Sequence, residues 1–262
     1  FRIGLGHSDI LPTCPTGQAS SDVTRSCGRP LRQLDISDLS ERAGVTESEL
    51  QAVLDGAVPR PPLLRRLAPT LNLHTADLFV IAGMAVPDEL APFDTKAGSQ
   101  IPSLAGGATA LPPDLRRQLR QLAQSLPRHN RIQPTPPPPE HEQYQPSHGA
   151  LLVHMLGNRN LNWTASAKTL YHLTGRLLAA ATIGAIGHGH KEVTPGLLAD
   201  FAILLGIPAY DLAALTGIDP PDQTPPQNPA AADVAELIWD IRSLTATQVQ
   251  QISDKAEALQ QD

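Results

Sequence analysis

Large rings are scarce in this chain: 4 Phe, 3 Tyr and 2 Trp make up only 3% of its 262 residues. A chain so poor in aromatics, with 26 prolines, reads as small Ala/Leu helical cores joined by loose segments, not one large core. Cysteine is almost missing. Cys14 and Cys27 lie in no C-x-x-C pair, and two thiols make no disulfide framework. That usage is expected of a protein in a reduced cytoplasm. Positive charge is also short, with 20 Lys and Arg against 26 Asp and Glu, a net of −6. The chain therefore carries no global basic footprint for nucleic acid. The longest uncharged apolar run, "LLAAATIGAIG" (Leu177 to Gly187), is far below a membrane span. No basic stretch followed by an apolar one opens the chain. No Ser/His/Asp arrangement, phosphate-cradling glycine loop or metal signature points to an enzyme or a cofactor. "GLGHSDI" holds a Gly-x-Gly, but in no strand-to-helix context.

What is present is helical punctuation. Residues 1–33 show turn chemistry without a period and begin at Phe1. We expect them to be disordered or to reflect a misplaced start. From Asp35, a plausible N-cap, the text becomes helical. "SERAGVTESELQAVLDG" (Ser40 to Gly56) ends one helix at Ala43-Gly44 and starts another at Thr46. Glu49, three residues on, completes a capping box. Leu50, Val53 and Leu54 form one apolar stripe, and Gly56 stops the helix. A loose segment over 95–132 is expected to contain an amphipathic helix at 113–126, with Leu115, Leu119, Leu122 and Leu126 on one side. Its Arg116, Arg117 and Arg120 suit either a phosphate contact or a solvated face. "IQPTPPPPEHEQYQP" excludes a regular helix and predicts a stretched, polyproline-like linker over 133–148, taken as the domain boundary.

The pattern then returns. "LLRRLAPTLNLHTADLFVIAG" ends at Gly83 and "LLADFAILLGIPAYDLAALTG" at Gly217. Leu63/Leu197, Leu71/Leu205 and Asp77/Asp211 all keep that spacing of 134. Upstream, "LSERAG" aligns with "LYHLTG" at 131. The helix between has two registers. Matching Gly56 to Gly187 buries Gly184, whereas matching Gly56 to Gly189 buries Ile183 and Ile186. The second is preferred because core-facing positions must be apolar. The expected layout is a first copy over 34–94, a second over 149–218, a Pro-rich linker at 219–229 and a helical tail at 230–262. That tail is read as two helices broken near Leu244-Thr245.

Both copies resemble the Xre/Cro-type helix-turn-helix family, on "DLSERAGVTESELQAVLDG" and the paired "LL–x8–L–x5–DL" endings. An Arg count of 16 against 4 Lys fits a high-GC bacterial source. The resemblance implies an all-α fold of two small lambda repressor-like bundles with Pro-rich linkers and amphipathic tails. Only the second copy has a convincing first helix, "GALLVHMLGNRNL"; in the first, Gly28 and Pro30 oppose one. The family implies double-stranded DNA as partner and transcriptional regulation as function. Two units in one chain would stand in for half-sites about 34–36 Å apart.

Several departures matter. Ile36 and Ala167 stand where the family usually has a phosphate-binding Gln. The first copy's outward positions are Glu47, Ser48, Gln51, Ala52 and Asp55, and residues 35–94 carry a net of −6. Carboxylates repel phosphates. The second copy's are Ala180, Thr182, Gly184, Ala185 and His188, and residues 149–218 carry a net of +1 with four histidines. The DNA-contact candidates are therefore Lys168, Arg176, Ala180, Thr182, Gly184, His188, His190 and Lys191, with Thr46, Ser48 and Gln51 in the first copy. The small residues of the second copy equally suit packing against another helix. His188 and His190 alone make no metal site. Trp163 and Trp239 read as core or tail packing. A different class stays open: a degenerate helix-turn-helix array binding a protein partner through the acidic first copy or the C-terminal helices.

Overall fold

A computed structural model of the chain describes residues 35–131, 134–220 and 228–261; residues 1–34, 132–133, 221–227 and 262 lie outside the described residues. The expectations for 1–33 and for most of the 219–229 linker fall there. Among the described residues are thirteen α-helices and no strand, so the protein is all-α. The chain divides after Asn72 into two compact units.

The described part of the first unit is three helices. α1 (Ile36–Ala43) ends at Gly44, whose left-handed φ of 62° lets its N–H and the next turn back onto the last carbonyls. Ser40 Oγ donates to the Val45 carbonyl at 2.6 Å and tightens that turn. α2 (Glu47–Leu54) starts at the capping box, where the Thr46 hydroxyl accepts from the Glu49 N–H and Glu49 accepts from the Thr46 N–H. α3 (Pro61–Thr70) begins with two prolines, tolerated because the first helical N–H groups have no partner inside the helix. Val45, Leu50, Leu63, Leu64 and Leu67 are buried.

The described part of the second unit, from Leu73, holds ten α-helices. α4 (Thr75–Ile81), α5 (Ile101–Thr109), α6 (Pro113–Ser125) and α7 (His148–Gly157) precede α8 (Trp163–Thr174) and α9 (Ala180–Gly187). α10 (Pro195–Leu205), α11 (Ala209–Thr216), α12 (Ala231–Ile241) and α13 (Ala246–Gln261) follow. α8 packs on α5, α9 and α10, and α7 packs on α9 and α4. α12 and α13 pack on α5 and α6. The amphipathic stretches read from sequence as linker helix and tail are thus core elements of this unit. Leu119, Ala123, Val234, Ile238, Val249 and Ile252 are all buried. Two of the three arginines of α6 meet acids, while Arg117 is exposed. Arg116 Nε pairs with Asp233 at 2.8 Å, and Arg120 with Asp240 at 3.0 Å and Glu236 at 3.2 Å.

One buried charge pair ties α4 to the end of α7. Arg159 reaches Asp77 through two nitrogens, at 3.1 and 2.9 Å, and Asn158 donates to the same carboxylate at 2.9 Å. Both charged side chains are essentially inaccessible. Beside them His74 stacks on Trp239 with ring centroids 3.5 Å apart, and the Arg242 guanidinium lies over the same indole, 3.8 Å from its centroid. Burial, then the Arg159 charge, pushes the His74 imidazole down to about 4.

Left-handed positions recur along the chain. Gly44 and Gly175 are 131 residues apart, Gly56 and Gly189 133, Asn72 and Gly206 134, and Gly83 and Gly217 134. Each closes a helix or the turn after one. Ile183 and Ile186 are fully buried, as the Gly56–Gly189 register requires.

Candidate nucleic-acid interface

The second copy's helix-turn-helix is α8, a turn around Gly175, and α9. Asn162 caps α8 by accepting from the Ala165 N–H at 2.9 Å. Gly175, at φ 75°, ends it. α9 then enters with Ile183 and Ile186 turned inward against α7 and α8.

The candidate residues fall into different environments. Lys168 on α8 and His190 and Lys191 beyond α9 are exposed. Ala180 and Thr182 are half-buried. Arg176, expected beside phosphate, is engaged within the protein: its Nε pairs with Asp200, a buried residue of α10. Burial raises the Asp200 carboxyl above its ordinary range, and the Arg176 hydrogen bond opposes that shift. Gly184, expected on the outward face, is instead buried. A Cβ there would lie 2.6 Å from the Trp163 ring, so the indole fills the space a side chain would take. Gly189 takes the left-handed position that matches Gly56, but Gly184 lies on the inward side, because a helix flanked on one side has less free surface than its inward stripe suggests.

His188 is exposed yet partnered. Its Nε2 donates to the His141 carbonyl at 3.1 Å, and its ring meets Tyr144 and His190 at centroid distances of 4.8 and 5.8 Å. His141 and Tyr144 belong to the Pro-rich segment expected to be a stretched linker. Tyr144 sits over Gly187, where a Cβ would be 2.6 Å from its ring. Its hydroxyl accepts from Trp163 Nε1 at 2.7 Å. Burial raises the Tyr144 phenol above its ordinary value and lowers the neighbouring His154 imidazole. The available signal was the pair Gly184 and Gly187, small residues one turn apart that admit close approach.

In the first unit, Thr46, Ser48 and Gln51 are exposed on α2. The Thr46 hydroxyl is committed to the cap and lies 3.1 Å from that of Ser48. The Gln51 amide donates to Asp55 at 2.9 Å. Glu49 meets Arg60 at 2.6 Å, and its carboxyl is held below the usual range, chiefly by the Thr46 backbone bond.

Chemically, the second copy offers two exposed lysines, two histidines and a helix of small residues. Among the described residues no three His, Cys, Asp or Glu side chains converge as a metal site. No single described helix is long and apolar enough to cross a membrane. No family model, curated protein or solved structure matches this chain.

Proposed function

We propose that this chain is a bacterial, cytoplasmic, sequence-specific DNA-binding regulator of the Xre-like helix-turn-helix type, with two tandem copies of the unit. The observation that carries the reading is the recurrence of four left-handed positions at spacings of 131 to 134 residues. Each brackets helices of the same order, and α2 and α9 take equivalent places between a glycine turn and a glycine stop. The second copy supplies most of the affinity, because Lys168 and Lys191 are exposed cations, while α2 presents Glu47 and Asp55.

The test is electrophoretic shift of the full chain on genomic fragments at low and physiological salt. A reader keeps a preferred site as salt rises; a purely electrostatic binder loses everything. Lys168→Glu with Lys191→Glu should weaken binding by ~10-fold at low salt, since each phosphate contact adds to the counterion term. Ser48→Glu with Gln51→Glu should leave affinity within about twofold if α2 is away from the phosphates. Equal loss from both pairs would remove the preference for the second copy.

A second reading, a protein-interaction module, is favoured by the internal neutralisation of arginines. Arg116, Arg120 and Arg176 all pair with acids of their own unit. Under it, no fragment shifts at either salt, and the exposed acids of α2 bind a basic partner instead.

A further inference from the structure

We propose that residues 139–146 form a detachable strap over the flank of α9, and that DNA binds only when the strap has swung away. The inference rests on the nucleic-acid reading above and adds its regulation. The strap lies against His188, one of the residues expected to meet DNA, and over the C-terminal end of α9. Tyr144 covers Gly187, holds the Trp163 indole over Gly184 by a 2.7 Å hydrogen bond, and meets the His188 ring. The His141 backbone takes the His188 Nε2–H, and its ring meets Trp163 edge-on at 5.3 Å. With the strap closed, the Tyr144 ring fills the space at Gly187 where a phosphate backbone could otherwise come close.

The hold is slight. The strap's 3-10 turn, Glu140–Glu142, has no buried residue, and Tyr144 is only half-buried. Its own backbone bonds are local, Glu142 N–H to the Pro139 carbonyl at 2.8 Å and Gln143 N–H to the Glu140 carbonyl at 3.1 Å. The preceding prolines cannot donate to any neighbouring element. Glu140 and Glu142 also bring carboxylates to the edge of the site, where they repel a polyanion while the strap is closed. A segment held this way opens as a minor state, on the order of 10% populated, at the upper end of the range for such states. Apparent affinity is reduced by that fraction, and removing the latch restores it.

The experiment compares the full chain with Tyr144→Ala and Tyr144→Phe on the same genomic fragments, with hydrogen exchange of the Trp163 indole N–H, which donates to Tyr144, followed with and without DNA. Tyr144→Ala should tighten binding ~10-fold, and Tyr144→Phe, which keeps the ring and loses the acceptor, by less. DNA should speed exchange of the Trp163 indole N–H in the unaltered protein, because opening removes its acceptor. Equal affinities with unchanged exchange would overturn the strap and leave the DNA reading standing. Absence of binding by all three proteins, each folded by circular dichroism, would overturn both. If Tyr144→Ala fails to fold, Tyr144→Phe and the exchange measurement decide alone.

Discussion

Asp77 and Arg159 form the most consequential pair at the scale of single residues. Two charges removed from water are expensive, and their attraction repays the cost only with good geometry and further hydrogen bonds. Here Asp77 takes two guanidinium nitrogens and Asn158, and Arg159 also donates to the Met155 carbonyl at 2.8 Å, near the end of α7. Removing one partner leaves the other charged, buried and unpaired. Asp77→Ala should therefore destabilise the protein by about 3–5 kcal/mol in denaturant titration. Asp77→Leu combined with Arg159→Met should cost much less than either change alone. A double variant as damaged as the singles would mean the pair is not acting as a pair. The repeat partner Asp211 is only half-buried, so the 134-residue spacing conserves a helix position without conserving its surroundings.

The glycines of α7 show how one element meets another. A Cβ on Gly149 would stand 2.0 Å from the Ile186 carbonyl oxygen, so the N-terminal turn of α7 touches α9 backbone to backbone. Nothing lies within 4 Å of a Cβ at Gly157, at the other end of the same helix. Gly149→Ala should cost about 1–3 kcal/mol through overpacking against an atom that cannot rotate away. Gly157→Ala should be neutral or stabilising by up to about 1 kcal/mol, because alanine suits a helix better. Thermal unfolding of the two variants checks both signs. A loss of DNA binding in Gly149→Ala, with Gly157→Ala unaffected, would further tie α9's seating to function.

For the molecule as a whole, acid should loosen the fold before its carboxylates titrate. Burial holds His74 at about 4 and lowers His154, while the unfolded chain has both near 6.5. Between those values the unfolded state binds more protons, so stability rises with pH there. It is fully present above about 6.5 and is lost as pH falls through about 4, with His74 alone contributing on the order of 3 kcal/mol. Asp200, whose carboxyl is raised, works in the opposite direction only as the pH nears the carboxylate range. Melting temperature followed from pH 8 to pH 4 should fall, and His74→Phe, which keeps a ring against Trp239, should flatten the fall. An unaltered slope in that variant would assign the effect elsewhere.

What the sequence by itself determined is local. The all-α class, the turns at Gly44 and Gly175, the Thr46–Glu49 cap, the stops at Gly56 and Gly189 and the break between α12 and α13 depend on residues within about five positions of one another. Caps, left-handed glycines and apolar stripes act over that range, so they can be read in order along the chain. The inward turn of Ile183 and Ile186 was legible for the same reason. The tertiary structure alone decided who meets whom. Arg116 finds Asp233 117 residues away, Arg159 finds Asp77 82 residues back, and Arg176 is taken by Asp200 before any phosphate could meet it. Gly184 was assigned to the wrong face, and Tyr144 was missed, because a helix's flank is defined by what packs beside it. No periodicity within α9 encodes a ring delivered from a Pro-rich segment 43 residues before Gly187.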